Sequence, residues 1–178
     1  MICPSYLSFI LYNPIRKLFT DRAAVLRQAG IKNDTVVLEI GAGNGFFTEA
    51  IAGRAKKVYS VELQEGMVRK LLKRINALDS RDKVEVIHKD IAHAELPDGL
   101  ADVAFLYYSF HEIGDKEKAA QRIARAVRRG GKVCIFEPTI EVSKRKMEWT
   151  LKIFESIGLK KEAEALTIFT RFARLGKP

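Results

Sequence analysis

The sequence predicts a doubly wound α/β domain, in which a mostly parallel, seven-stranded sheet carries helices on both faces and ends in an antiparallel strand pair. Short β-branched, apolar runs alternate with segments of helical period from Thr35 to Glu137. A glycine-rich turn follows the first of those runs, in VVLEIGAGNGFF. After the fifth run the rhythm changes: Leu159 to Leu175 holds two extended stretches with almost no room for a crossover helix, which makes them antiparallel neighbours.

Each element has its own signal. Asn13 and Pro14 read as N-cap and first helical position, and Ile15, Leu18, Phe19, Arg22 and Leu26 then recur at helical spacing until Gly30. Thr35 to Ile40 suits a strand buried on both faces, and Phe47, Ala50 and Ile51 mark the helix after the glycines. KVYSVE, Lys57 to Glu62, is a second strand, followed by the stripe Met67, Leu71, Leu72 and Ile75. Lys83 to His88 and Ala101 to Leu106 supply the third and fourth strands. Asp115 caps a helix that turns Ala119, Ile123 and Val127 inward, and Arg129, Gly130 and Gly131 form a turn before the fifth strand, VCIFE. A last helix spans Ser143 to Ile157 and ends at Gly158.

A chain of 178 residues with 47% hydrophobic content is one domain able to bury a core without disulfides or metals. Cys3 and Cys134 lie too far apart for a zinc or disulfide framework, which implies a reduced, cytoplasmic setting. The net charge of +9 would suit RNA, acidic lipid headgroups or anionic small molecules. A chain 30% charged and poor in Asn and Gln also fits the ion-pair networks of a thermophile, and Arg122, Arg125, Arg128 and Arg129 read as solvated. The segment MICPSYLSFILYNP lacks the basic leader and cleavage site of a secretory signal. Its apolar run Phe9 to Tyr12 is far shorter than the roughly 20 residues of a bilayer crossing.

The glycine turn sits where an open parallel sheet binds ligands, at the carboxyl end of a strand. Gly41 and Gly43 would admit close backbone approach, and Gly45 would open the next helix. A dinucleotide loop, G-x-G-x-x-G, places its third glycine at position 46, which is Phe46 here. Glu39 precedes the turn and would repel a pyrophosphate but attract an ammonium. Glu62 ends the second strand 21 residues after Gly41, the spacing for an acid that accepts from a ribose diol, and Asp90 in HKDIAH could accept an adenine amine. Amine, ribose and adenine together describe S-adenosylmethionine.

VLEIGAGNGFFTEAIA, VYSVELQEGM, HKDIAHAELP, ADVAFLYYSFHEI and RRGGKVCIFEP resemble, in order and spacing, the motifs of class I S-adenosylmethionine-dependent methyltransferases. The resemblance covers residues 35 to 138 and implies a Rossmann-like fold. It also implies Glu39 near the methionine ammonium, Gly41, Ala42 and Gly43 against methionine and ribose, and Glu62 on the ribose diol. Leu63 would pack on the adenine, Asp90 with Ile91 would hold its edge, and Tyr107 would approach the methionine. Residues 1–30 then read as a helical lid or substrate segment, 31–138 as the cofactor-binding core, and 139–178 as the closing helix and strand pair.

The first motif block also resembles ribosomal RNA adenine dimethyltransferases, but LYYSFHEI lacks the Asn or Asp and the Pro that hold a nucleobase amine in such enzymes. The stretch is closer to small-molecule methyltransferases of the ubiquinone and menaquinone type, which disfavours RNA and favours an oxygen or carbon acceptor. The start of the chain resembles uncharacterised archaeal and bacterial members, and Tyr6, Phe9, Tyr12 and Phe19 could line an acceptor pocket. His111 is the candidate base, with Glu112 or Tyr108 behind it, and His88 and His93 have weaker claims. No metal site is expected. Two alternatives stay open, an NAD-binding oxidoreductase and a noncatalytic RNA-binding module.

Overall fold

The apolar runs of the sequence form seven strands in one sheet, described over residues 20–178 of a computed structural model. They are β1 (Val36–Ile40), β2 (Lys57–Glu62), β3 (Val84–His88), β4 (Ala101–Tyr107), β5 (Val127–Pro138), β6 (Lys160–Leu166) and β7 (Thr170–Gly176). The helices are α1 (Arg22–Gln28), α2 (Phe46–Ala52), α3 (Glu65–Ile75), α4 (Lys116–Ala126) and α5 (Lys144–Ser156). Strand order is β3-β2-β1-β4-β5-β7-β6. The first five strands run parallel, while β7 runs antiparallel to both β5 and β6. The expected Rossmann-like architecture is therefore present, including the antiparallel closing pair.

Alternation along the central strands divides the core into two layers. Leu38, Ile40, Ala104, Leu106, Val133 and Ile135 face α4 and α5, where Ile123, Leu151 and Phe154 are buried. Val37, Val58, Val103, Phe105, Cys134 and Phe136 face the opposite way, against Leu26 of α1 and Phe47 and Ile51 of α2. A strand flanked by both layers has no solvated side, which is why VVLEI carries only one polar residue. Cys134 lies in that second layer, and burial pushes its thiol up to about 12, so it is an inert core residue.

Two local readings change. The described helix before β1 starts at Arg22, where the Asp21 side chain accepts from the Ala24 amide, and is much shorter than the span from Pro14 to Gly30. The positions expected to begin that helix, together with Tyr6, Phe9, Tyr12 and Phe19, lie outside the described residues. The turn expected before the fifth strand is instead a bulge within β5: Val127 pairs with Ala101, and pairing resumes at Lys132 opposite Val103. Arg125 pairs with Asp98 and Arg128 with Asp102, and both arginine side chains stay more than half exposed, as their solvated reading expects. Among the described residues no helix is long and apolar enough to cross a membrane.

Candidate functional site

Strand order reverses between β1 and β4, and a crevice at their carboxyl ends is where a doubly wound sheet takes its ligand. The glycine turn leaves β1 at that point. Gly41, Gly43 and Gly45 have φ of 73, 58 and 83°, so three alternate positions need the left-handed region that side chains avoid. Gly41 and Ala42 donate their amides to the Val61 carbonyl, which ties the turn to β2. Gly41 has a further reason besides the one expected: a Cβ there would overlap the side chain of Ser109, whose hydroxyl donates to the Ile40 carbonyl. Gly41 makes room for the chain itself. Gly45 is similar, since its Cβ would lie 2.8 Å from Leu71 of α3.

The acids at the strand ends have distinct environments. Glu62 is buried, and each carboxylate oxygen accepts one backbone amide at 2.8 Å, Oε2 from Gly43 and Oε1 from Gln64. Each oxygen keeps a lone pair for a further donor. Glu39 is buried too, and its Oε2 accepts from the hydroxyls of Thr48 and Ser60 at 2.6 and 2.8 Å. Burial raises its pKa to about 7, against which those two hydrogen bonds act, while the neighbouring charge of Glu62 pushes it the same way as burial.

The folded chain thus keeps Glu39 protonated up to about pH 7, whereas the unfolded chain ionises it above 4.5. Stability contributed by the protonated form is lost as pH rises through that window. Glu39→Gln should therefore raise stability at pH 8 by on the order of 2–3 kcal/mol, and the gain should vanish near pH 5. Thermal melts at the two pH values check this, and equal gains at both would contradict it.

The remaining sequence-derived candidates spread along the same sheet end. Leu63 is 58% exposed just past β2, and its carbonyl meets His88 Nε2 at 3.0 Å. Asp90 caps a short turn, Ile91–His93, through the Ala92 amide, and His93 Nδ1 lies 3.6 Å from its other oxygen. The Ile91 side chain is in the core, so any contact it makes with a ligand falls to its backbone. Tyr107 stacks on Tyr108 at 4.3 Å and meets Phe47 at the same separation.

The loop after β4 corrects the arrangement expected around His111. Its ring is held by Glu137 and Glu141: Nδ1 lies 2.5 Å from Glu137 Oε2 and Nε2 lies 3.0 Å from Glu141 Oε2. Glu137, fully buried at the end of β5, also accepts the His111 amide at 3.1 Å. Burial by itself would lower the His111 pKa. The Glu137 hydrogen bond and the charges of Glu137, Glu141 and Glu112 outweigh it and hold the pKa above 6.5. Glu112 is a neighbouring charge rather than a ring partner, and burial raises its own pKa.

Tyr108 lies just past β4. It has a φ of 57°, a strained value for a bulky residue, and its hydroxyl meets the Phe169 carbonyl at 3.0 Å and Thr170 Oγ1 at 2.5 Å. Ser109, Glu137 and Glu141 were missed in the sequence. Glu137 carries the signal that marked Glu39 and Glu62, an acid at the end of an apolar strand. Ser109 carries none. Among the described residues no group of His, Cys, Asp and Glu is placed to hold a metal ion.

Residues 38–135 match the family model described as a methyltransferase domain. The chain is 29% identical over 120 residues to an uncharacterised methyltransferase of Geobacillus sp. strain WCH70, covering 66% of this chain and 54% of the relative. It is 38% identical over 88 residues to a ribosomal RNA small subunit methyltransferase of Arabidopsis thaliana, covering 49% of this chain and 24% of that protein. The chain thus spans about half, or a quarter, of these relatives. In structure it is similar to a S-adenosylmethionine-dependent methyltransferase from Aquifex aeolicus, with a TM-score of 0.81 and 25% identity over 98% of this chain and 100% of that one. With the motif block, the sheet order and the matched segment in agreement, the chain belongs to the S-adenosylmethionine-dependent methyltransferases.

Proposed function

We propose that this protein transfers a methyl group from S-adenosylmethionine to a small molecule at oxygen or carbon, with His111 as the base. The observation that carries the reading is a histidine fixed between Glu137 and Glu141 at the carboxyl end of the sheet. An oxygen or carbon acid becomes a good nucleophile only as its proton is removed, whereas an amine attacks through its nitrogen lone pair and can lose its proton afterwards.

The residues present fit the cofactor that the family implies. Glu62 retains acceptor capacity for a diol, Glu39 lies one strand away for an ammonium, and the glycine turn holds Asn44, whose buried Oδ1 has no hydrogen-bond partner among the described residues. When bound, S-adenosylmethionine supplies an electrophilic methyl carbon on a sulfonium. Glu62 and the turn would hold the ribose, with Leu63, Asp90 and Ile91 around the adenine. Glu137 accepts from His111 Nδ1 and so keeps Nε2 as the basic nitrogen of the neutral ring. An acceptor that displaced Glu141 from Nε2 would give its proton to that nitrogen and could then bond to the methyl carbon supplied by the cofactor, as the carbon–sulfur bond opposite breaks and the thioether leaves.

Glu62→Ala should weaken S-adenosylhomocysteine binding by about 10²–10⁴-fold, from the loss of two charge-assisted hydrogen bonds of roughly 1.5–3 kcal/mol each. Calorimetric titration, with NAD as the control ligand, measures it, and unchanged affinity would remove the ribose assignment. The acceptor class is tested by following labelled methyl groups into phenols and enolisable small molecules, RNA and protein. Identity to a ribosomal RNA methyltransferase favours RNA as the second reading. Label found only in RNA would establish it against ours.

A further inference from the structure

Two acids end neighbouring strands on one side of the sheet, and the described residues give neither of them a cation. Glu39 of β1 aligns with Ser60 of β2, two positions short of Glu62. Both are buried, Glu39 with 3% of its surface exposed and Glu62 with 6%. The groups facing Glu39 come from three elements. β2 brings Ser60 and Glu62, α2 brings Thr48, and β4 brings Phe105 with Tyr107 two residues on. The acid of α2, Glu49, is engaged by Arg22 of α1. Among the described residues the charge that acts on Glu39 is therefore that of Glu62, and it repels.

Hydrogen bonding supports only half of the carboxyl group. The Thr48 and Ser60 hydroxyls both donate to Oε2, and no described group donates to Oε1. A buried carboxylate beside a second acid, with one oxygen unsupported and no cation, is a costly charge that a proton removes. Oε1 then carries the proton, because Oε2 already accepts twice. The pKa raised to about 7 agrees with this geometry.

We propose that Glu39 exchanges its proton for the ammonium of the cofactor's methionine part, so that cofactor binding releases a proton to solvent through this residue. This rests on the placement of Glu39 against that ammonium. The proton leaves Oε1 for a buffer base and its bonding electrons stay on the carboxylate. Carboxylate and ammonium together then add no net charge to the buried site. Glu39 thereby selects for ligands that bring a cation to this point, since a neutral ligand of the same shape leaves the proton in place. The sign of the linkage follows: at low pH each binding event must first remove the proton, so cofactor affinity falls as pH falls through the raised pKa.

The test is calorimetric titration with S-adenosylhomocysteine in pairs of buffers of different ionisation enthalpy, where the buffer dependence of the heat counts protons. The second probe is 5′-methylthioadenosine, an adenosine thioether without the amino-acid part. The difference between wild type and Glu39→Gln should be about 0.9 proton released at pH 6, about 0.5 at pH 7 and about 0.1 at pH 8. Subtracting the variant removes the protons of the histidines and Glu112, which both proteins share. Wild-type affinity should rise about tenfold from pH 6 to pH 8 relative to the variant. With 5′-methylthioadenosine no Glu39-dependent proton should appear.

Equal proton counts in the two proteins, with affinity lowered in the variant by one factor at every pH, would overturn the exchange and leave Glu39 in contact with the ammonium. Affinity that Glu39→Gln leaves unchanged at pH 8 would remove the ammonium assignment and the exchange with it. A Glu39-dependent proton released equally by 5′-methylthioadenosine would also overturn the exchange, because that probe brings no cation.

Discussion

His111→Ala should lower methyl transfer by about 10²–10⁴-fold, the usual contribution of a positioned base, while S-adenosylhomocysteine affinity stays within about twofold. The loss should fall on kcat, because the ring acts on the acceptor proton and Glu62 and the glycine turn hold the cofactor. The pH profile separates this role from a structural one. With the His111 pKa raised above 6.5 by Glu137 and Glu141, the ring becomes a base only as pH rises through that raised value. Activity should therefore climb with pH. Glu137→Gln removes the carboxylate that favours the imidazolium, so its inflection should move to lower pH. An inflection that stays in place in Glu137→Gln would remove His111 as the titrating base.

Gly41→Ala should destabilise the fold by about 2–4 kcal/mol, from a left-handed φ and an overlap with Ser109. Denaturant unfolding measures the loss. Ser109→Gly in the same chain should return part of it, because the second change removes the overlap but leaves the backbone strain. No recovery in the double variant would show that φ alone sets the requirement. Cofactor affinity should fall with Gly41→Ala as well, since the Gly41 and Ala42 amides fasten the turn to Val61 and position the Gly43 amide on Glu62.

These two residues differ in how far they could be read from the chain. The three glycines are legible because the conformation they permit is local, and a missing glycine at Phe46 speaks against a dinucleotide loop. What Gly41 makes room for was not legible, because Ser109 lies 68 positions away and reaches it only when β4 pairs with β1. His111 was legible as a histidine past an apolar strand. Its ring partners Glu137 and Glu141 were not legible, because they approach only when β5 pairs with β4.

By itself the sequence determined the alternation of strands and helices, the antiparallel ending and the glycine turn with its acids, because periodicity, turn chemistry and strand-end position are properties of short segments. Only the tertiary structure decided that Glu39 is buried among hydroxyls, that Glu62 fastens the turn, that His111 sits between two carboxylates, and that Thr139 is bonded to Ile168 and Phe169. Those are contacts between distant positions. They depend on which strands pair and in what register, and no local preference of the chain encodes that.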